Sequence, residues 1–476
     1  MKTITKFIII NIIGIYFCVN HSAAQHSACG ISSTSDSNSS FKIIRNLQKE
    51  SDQYIPHIAT KYSGKLKEAY AKRNENIIKE IEEGVFYFSS DITDPFNTIF
   101  QQIVKSNPSL RNENLKLLVS RHPYPNAYCT GTGVIVFNLE LLPWLENESQ
   151  IAFVLCHEIA HHTLNHVNNA TLERISHLYS EKTQKQLKKI KKRETGSYTQ
   201  ANNLLKGFVF EERRHSRFHE AEADSLALVY LENTPYNTNA AIGCLEQLDK
   251  VDGQRFDPSI HLQEIFHTDA YPFKEHWLEE EVGIFATKQP VEEWNRDSIK
   301  THPDCSKRIQ LLQTYLKESN SYKGNDISDQ QEIYETLSFE ADYELTQNTF
   351  LFQNWGRSLY YTLQLLKKHP TKACLHTMVS KNLYHIYTAQ QNHVLDEYLE
   401  QPAPWHPKEY KTLLEFLQNL RQKELAQLNY QYLASNKDDF LEHPDFHQAL
   451  ILAAKQVKDS KELNTLQALW QERYPE

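Results

Sequence analysis

The sequence predicts a mostly α fold with a small β-sheet in its first part, followed by an all-α domain of helical hairpins. Three observations carry this. Apolar residues recur at three- and four-residue spacing along most of the 476 residues, the period of helices with one buried face. Two short runs depart from that period, at 115–120 and 134–137; both are rich in Leu, Val and Ile and lie beside Pro-Tyr-Pro or Gly-Thr-Gly turn signals. From about Ser319 onward the helical stripes repeat between prolines, with no strand pattern among them. A chain of this length also exceeds one small core and divides into two domains with ancillary segments.

The elements follow in order. Lys2 and Lys6 precede an apolar run from Phe7 to Val19 that ends near Ser22-Ala23-Ala24. This is the layout of a secretory signal peptide, residues 1–24, and the run is short for a membrane span. Residues 25–40, rich in Ser and Asn, read as a flexible linker. Ser27-Ala28-Cys29-Gly30 also resembles the end of a lipobox, with His26 in place of the usual aliphatic residue; on that reading a lipidated Cys29 anchors the chain. Ile43, Ile44 and Leu47, then Leu66, Tyr70, Ile77, Ile78 and Ile81, predict two helices, and a third follows Pro95. A strand from Leu115 to Ser120 leads to Pro123-Tyr124-Pro125, which delivers Asn126 to an extended segment; a second strand runs from Val134 to Phe137. An unpaired strand edge there could hold an extended peptide by main-chain hydrogen bonds.

The chemistry sits in the next stretch. Ile151 to Cys156 run straight into His157-Glu158-Ile159-Ala160-His161. Residues four apart share a helix face, so His157 and His161 aim two imidazoles at one cation, as a tetrahedral zinc site requires. A buried helix carrying two His and a Glu inward must satisfy them, and a metal does so. Glu158 is placed to take a proton from zinc-activated water. The metzincin arrangement is excluded, because Leu164 and Val167 stand where it needs Gly and His. His166 falls about half a turn round a continuous helix, and His162 is also off the zinc face; both read as surface or supporting residues. A separate helix, about Phe208 to Leu231, supplies the best third ligand, Glu220, 59 residues after His161. Asp224, one turn on, can accept the free ring N–H of a zinc-bound His. Glu222 is rotated away, and Ala221 and Ala223 let two helices approach closely.

Ser216-Arg217-Phe218-His219-Glu220-Ala221-Glu222-Ala223-Asp224 resembles the SRxxExEAD signature of metallopeptidase family forty-eight, the HtpX-like and CAAX prenyl protease-like zinc peptidases. Asn126-Ala127-Tyr128 with Gly133-Val134-Ile135-Val136 is similar to the family's substrate-side strand, and His157 to His166 to its zinc helix. Thr301-His302-Pro303, with Arg308-Ile309 and Leu312, resembles its late segment. The resemblance implies a gluzincin-type α+β domain, one Zn2+ per chain on His157, His161 and Glu220, and Glu158 as the base. It also implies that His302, Arg308 and Asn126 contact the substrate or the developing oxyanion. Ala227 stands where the family often has Gly. The named relatives are polytopic membrane proteins, whereas the mature chain here has no apolar run long enough to span, so a prenylated membrane substrate does not follow. Some envelope members join the peptidase to helical repeats. The layout here, a peptidase domain at 41–318 and a helical, tetratricopeptide-like domain at 319–476, resembles theirs.

Charge and cysteine usage bound the partners and the compartment. Without residues 1–24 the chain carries 49 basic and 60 acidic side chains, a net −11, which disfavours nucleic acid as a partner. The basic run Lys182 to Arg193 reads as a solvated helix face. Six cysteines remain, and an oxidising compartment permits disulfides, with Cys244–Cys305 the expected pair and Cys129–Cys156 another. His261, His267, His276 and Trp277 lie in an irregular stretch and read as surface aromatics or a cleft wall. The resulting expectation is an exported, periplasmic or extracellular zinc metalloendopeptidase acting on protein or peptide substrates in protein quality control. The C-terminal helices would meet envelope protein partners. The alternative is a non-enzymatic envelope chaperone or assembly factor with a structural zinc. That reading needs a fourth ligand from His162, His166 or His302, and the intact Glu158 favours catalysis.

Overall fold

A three-stranded sheet positions the rest of the first domain. β1 (Lys116–Ser120) pairs in parallel with β3 (Val134–Asn138), and β2 (Ala127–Cys129) pairs antiparallel with β3, giving the order β1-β3-β2. All of β3 is buried, which is why its Val-Ile-Val-Phe run does not alternate with polar residues. Gly131 and Gly133 turn the chain from β2 to β3 at φ of 74° and 85°. A Cβ at Gly131 would lie 2.9 Å from the Val167 side chain, so both the backbone conformation and the close approach require glycine there. The computed structural model describes residues 37–54, 60–191, 217–250, 260–279, 305–319, 331–403 and 406–475. The expected signal peptide, Cys29 and His302 lie outside these residues.

Alternate residues of β3 enter two cores. Val134 and Val136 face α1 (Ser37–Gln53) and α2 (Ser63–Glu82), packing with Leu47, Ile77 and Ile81. Helix α1 starts four residues inside the stretch read as a linker. Ile135 and Phe137 join Phe96 and Phe100 of α3 (Ser90–Ser106) and Phe153 of α4 (Glu148–Thr163). Asn147 caps α4 by accepting the Gln150 backbone N–H at 3.0 Å. From Ser149 to Ala160 every α4 residue is buried, so the helix is covered on all sides. α5 (His166–Leu178) and α6 (Glu181–Lys191) follow. Then come α7 (residues 217–232), α8 (Ala240–Leu248), α9 (Leu262–Phe266) and α10 (Cys305–Ser319). Ala223, Ala227, Leu228 and Leu231 of α7 are fully buried in the same core as α4; the small residues bring the α7 backbone close.

The second core belongs to α11 (Gln331–Leu351), α12 (Trp355–Lys368), α13 (Ala373–Gln391), α14 (Lys408–Asn419), α15 (Gln422–Ser435), α16 (Lys437–Phe440), α17 (Pro444–Val457) and α18 (Ser460–Arg473). Here α12 packs on α13, α13 on α15, α15 on α17 and α17 on α18. The two cores exchange segments across the boundary read from the sequence. Leu337 and Ala341 of α11 pack in the first core, while Leu262, Phe266 and Trp277 pack in the second. Trp277 is fully buried against Phe273 and Phe416, so the 260–279 segment is held by the helical domain, while His261, His267 and His276 are exposed as the surface reading expects. No helix among the described residues is long and apolar enough to cross a membrane.

A buried polar cluster fastens the two parts together. The Tyr87 hydroxyl donates to Glu344 Oε2 at 2.6 Å and accepts from Asn348 Nδ2 at 3.2 Å. Arg121 lies 3.3 Å from the same carboxylate and 3.8 Å above the Tyr87 ring. Glu344→Ala removes the anion that Arg121 faces and the acceptor of the Tyr87 hydroxyl in a buried site. The expected cost is about 3 kcal/mol, the scale of breaking a buried pair, read as a lower midpoint in thermal or urea unfolding. An unchanged midpoint would show that the cluster adds nothing to the fold.

The cysteine expectation is corrected. Cys129, Cys156, Cys244 and Cys305 are buried free thiols, so neither expected pair forms. Burial pushes the Cys129 thiol up to about 12, and pushes the Cys156 and Cys244 thiols up as well, which keeps all three protonated and unreactive. Cys374 is disulfide-bonded.

Candidate active site

α4 and α7 place three ligand-type side chains around one point. His157 and His161, one turn apart, bring their Nε2 atoms to 3.0 Å. Glu220 spans both, with Oε2 3.5 Å from His157 Nε2 and Oε1 3.4 Å from His161 Nε2. Bonds of about 2.0–2.2 Å in a tetrahedral site hold ligand atoms about 3.3–3.6 Å apart, so Glu220 already stands at ligand spacing from both rings and the two Nε2 atoms need only part slightly to hold a zinc-sized ion. All three donor atoms lie within 4.8 Å of one another, and the group could hold a metal ion.

The electrostatics favour a cation at this point. Burial opposes charge on His157, but hydrogen bonds to Asp224 and Glu220 outweigh it and raise its pKa to about 10. Burial raises Glu220, yet His157, His161 and Arg308 hold it well below the usual carboxylate range. The cluster therefore keeps an anion facing two imidazoles and attracts positive charge, as a proton or as a metal. Glu158 stands next to His157 in sequence and is 8% exposed. Burial raises its pKa against the pull of His161 and His157 and a backbone hydrogen bond from Cys129, so its carboxylate is more basic than a solvated glutamate.

Behind the cluster lies a second layer. Asp224 Oδ1 is 2.9 Å from His157 Nδ1, which fixes the ring with Nε2 toward Glu220. Arg308, on α10, grips Asp224 through Nε at 2.6 Å and Nη2 at 2.7 Å, and its Nη1 is 3.1 Å from Glu220. The sequence reading gave Arg308 to the substrate or the oxyanion. In the structure it is 4% exposed and engaged with two carboxylates, so its guanidinium holds the ligand layer in place. Asp224→Asn weakens both contacts while keeping the side-chain shape. Zinc affinity is expected to fall by about 10- to 100-fold, as for other outer-layer changes, measured by competition with a chelator. Unchanged affinity would mean that Asp224 does not orient His157.

Asn126 sits half-buried just before β2, its carbonyl accepting the Asn138 backbone N–H at 3.0 Å. Asn138 in turn donates to the Tyr124 carbonyl at 2.9 Å and meets Ser120 Oγ at 2.6 Å, which pins the loop that leads to Asn126. A small pocket lies against His157 and Glu158. Leu141, Phe153, Val154 and Leu248 line it, together with Ala127 and Arg308.

Two residues lie beside the cluster: His166, read from the sequence as a surface or supporting residue, and His219, which that reading passed over. His166 does not continue α4 on its far side. The helix ends at Thr163, Asn165 takes a left-handed conformation at φ 56°, and α5 starts anew at His166. This break swings His166 Nδ1 to 3.0 Å from His161 Nδ1. Asn tolerates the left-handed region, and Asn165 was the available signal for the break. His219, half-buried, stacks on His166 at 4.2 Å, and Glu222 Oε2 lies 3.3 Å from His166 Nε2. His162 Nε2 is 3.4 Å from Glu113.

A paired-histidine helix facing a carboxylate helix, with a buried glutamate beside the first histidine, defines a metal-dependent hydrolase. Residues 97–316, from α3 to α10, match the model of Peptidase family M48, so this segment is similar to that metallopeptidase family. No curated protein matches the chain.

Proposed function

We propose that the chain is a zinc-dependent metalloendopeptidase of the cell envelope. The observation that carries it is the convergence of His157, His161 and Glu220 on one point with Glu158 beside them. The two Nε2 atoms and the Glu220 carboxylate would hold zinc. When bound, zinc polarises the scissile carbonyl and acidifies the attacking water. Glu158 accepts the proton of that water and delivers it to the leaving amine; its burial raises its basicity for the first transfer. The edge of β2 offers main-chain groups to an extended peptide, and the apolar pocket beside Glu158 suits an apolar side chain next to the scissile bond. By family position His302 is the donor to the oxyanion.

The N-terminal apolar run and the disulfide at Cys374 support an oxidising, exported location. The helical domain offers a tetratricopeptide-like platform for envelope partners, in keeping with a role in protein quality control. The test is metal analysis with casein cleavage before and after chelation. Cleavage is expected to vanish with the metal and return on adding zinc. Persistent cleavage in fully metal-free protein would refute the zinc mechanism. A stoichiometric zinc with no cleavage of any protein substrate would favour the non-enzymatic alternative.

A further inference from the structure

A second cluster lies next to the first and has no part in the proposed reaction. His166, at the start of α5, and His219 and Glu222, on α7, bring one donor atom each within 4.8 Å of one another. His166 Nε2 is 3.3 Å from Glu222 Oε2, and the His166 and His219 ring centroids are 4.2 Å apart. Two imidazoles and a carboxylate repeat the donor set of His157, His161 and Glu220. Nitrogen and oxygen donors of this kind suit a divalent transition ion such as zinc.

We propose that His166, His219 and Glu222 form a second divalent-cation site, weaker than the first, whose occupation inhibits the peptidase. Cation binding there is independent of the peptidase reading; inhibition rests on it. The weaker affinity follows from exposure and geometry. The Glu222 side chain is 41% exposed and His219 is half-buried, so water competes for the ion. The two rings lie nearly parallel, 17° apart, and a shared ion requires the half-buried His219 ring to turn until its lone pair meets that of His166.

His166 couples the two sites. Its Nδ1 faces His161 Nδ1 at 3.0 Å, and its Nε2 faces Glu222. With His161 Nε2 directed at the first cluster, the His161 ring proton sits on Nδ1 and donates to His166 Nδ1. The His166 proton then sits on Nε2 and donates to Glu222. A cation on Nε2 takes that position. A neutral His166 now carries its proton on Nδ1, and two N–H groups face each other across 3.0 Å. His161 loses the acceptor that orients it, and the second positive charge repels the first. Filling the outer site therefore loosens a ligand of the inner one.

The test uses the metal-free full chain and zinc alone, with bound metal counted at equilibrium and casein cleavage followed over the same concentrations. The wild type is expected to bind two zinc ions, with cleavage rising as the first fills and falling as the second fills. His219→Ala is expected to retain the maximal cleavage and to need at least about tenfold more zinc for inhibition, with the second binding event weakened in step. One zinc per wild-type chain at every concentration would overturn the site. So would equal inhibition of wild type and His219→Ala, which would place the inhibitory ion elsewhere. Two bound zinc ions with no cleavage by either protein would uphold the site and refute the peptidase reading.

Discussion

Glu158→Gln is expected to abolish peptide hydrolysis while the protein keeps its metal. The substitution is nearly isosteric and leaves His157, His161 and Glu220 unchanged, so the three donor atoms remain within 4.8 Å of one another. What disappears is the only carboxylate adjacent to His157 on α4, and with it the proton acceptor. Burial has already raised the basicity of Glu158, and an amide has none. General-base removal costs about 10²- to 10⁴-fold in rate, and the loss belongs in kcat because the group acts on the reacting water. The measurement pairs zinc content with the cleavage rate of casein. Full activity with full zinc would remove Glu158 from the mechanism. Loss of zinc together with activity would show instead that the substitution disturbs the ligands.

Glu220→Ala is expected to act on the other half of the site, by releasing the metal. Glu220 bridges the two imidazoles at 3.5 and 3.4 Å, and nothing else on α7 reaches both. Its removal also takes away one of the two carboxylates that balance Arg308, whose Nη1 sits 3.1 Å from Glu220, and so leaves more positive charge beside the cation. Both changes oppose metal binding. The loss of zinc affinity should therefore exceed the about 10- to 100-fold typical of an outer-layer change. Metal analysis after dialysis reads it directly. Stoichiometric zinc in Glu220→Ala would require a different third ligand. Together the two variants separate proton transfer from metal binding, because one should lose activity with zinc in place and the other should lose both.

Much of the fold was legible because it rests on local periodicity. The helical stripes, the two apolar strand runs and the turn glycines each depend on residues within one or two turns of one another. The extended segment read after Pro125 is the short β2, whereas the parallel pairing of β1 with β3 was decided only by the tertiary structure. The boundary between the cores was less legible. Trp277 and Leu337 are apolar in either domain, and only packing assigns the first to the helical core and the second to the peptidase core.

The site divides in the same way. Four-residue spacing alone puts His157 and His161 on one face of α4, and the SRxxExEAD string marks Glu220 and Asp224 as its partners, because those patterns are written in consecutive residues. Tertiary structure decided the rest. It set Arg308 against Asp224 and Glu220, 84 residues from the former in sequence. It also turned His166 inward, since one left-handed residue, Asn165, breaks the helix on which the sequence reading placed it facing away. Spacing fixes direction only while a helix continues. Once the backbone turns, contacts between separate elements determine which side chains meet.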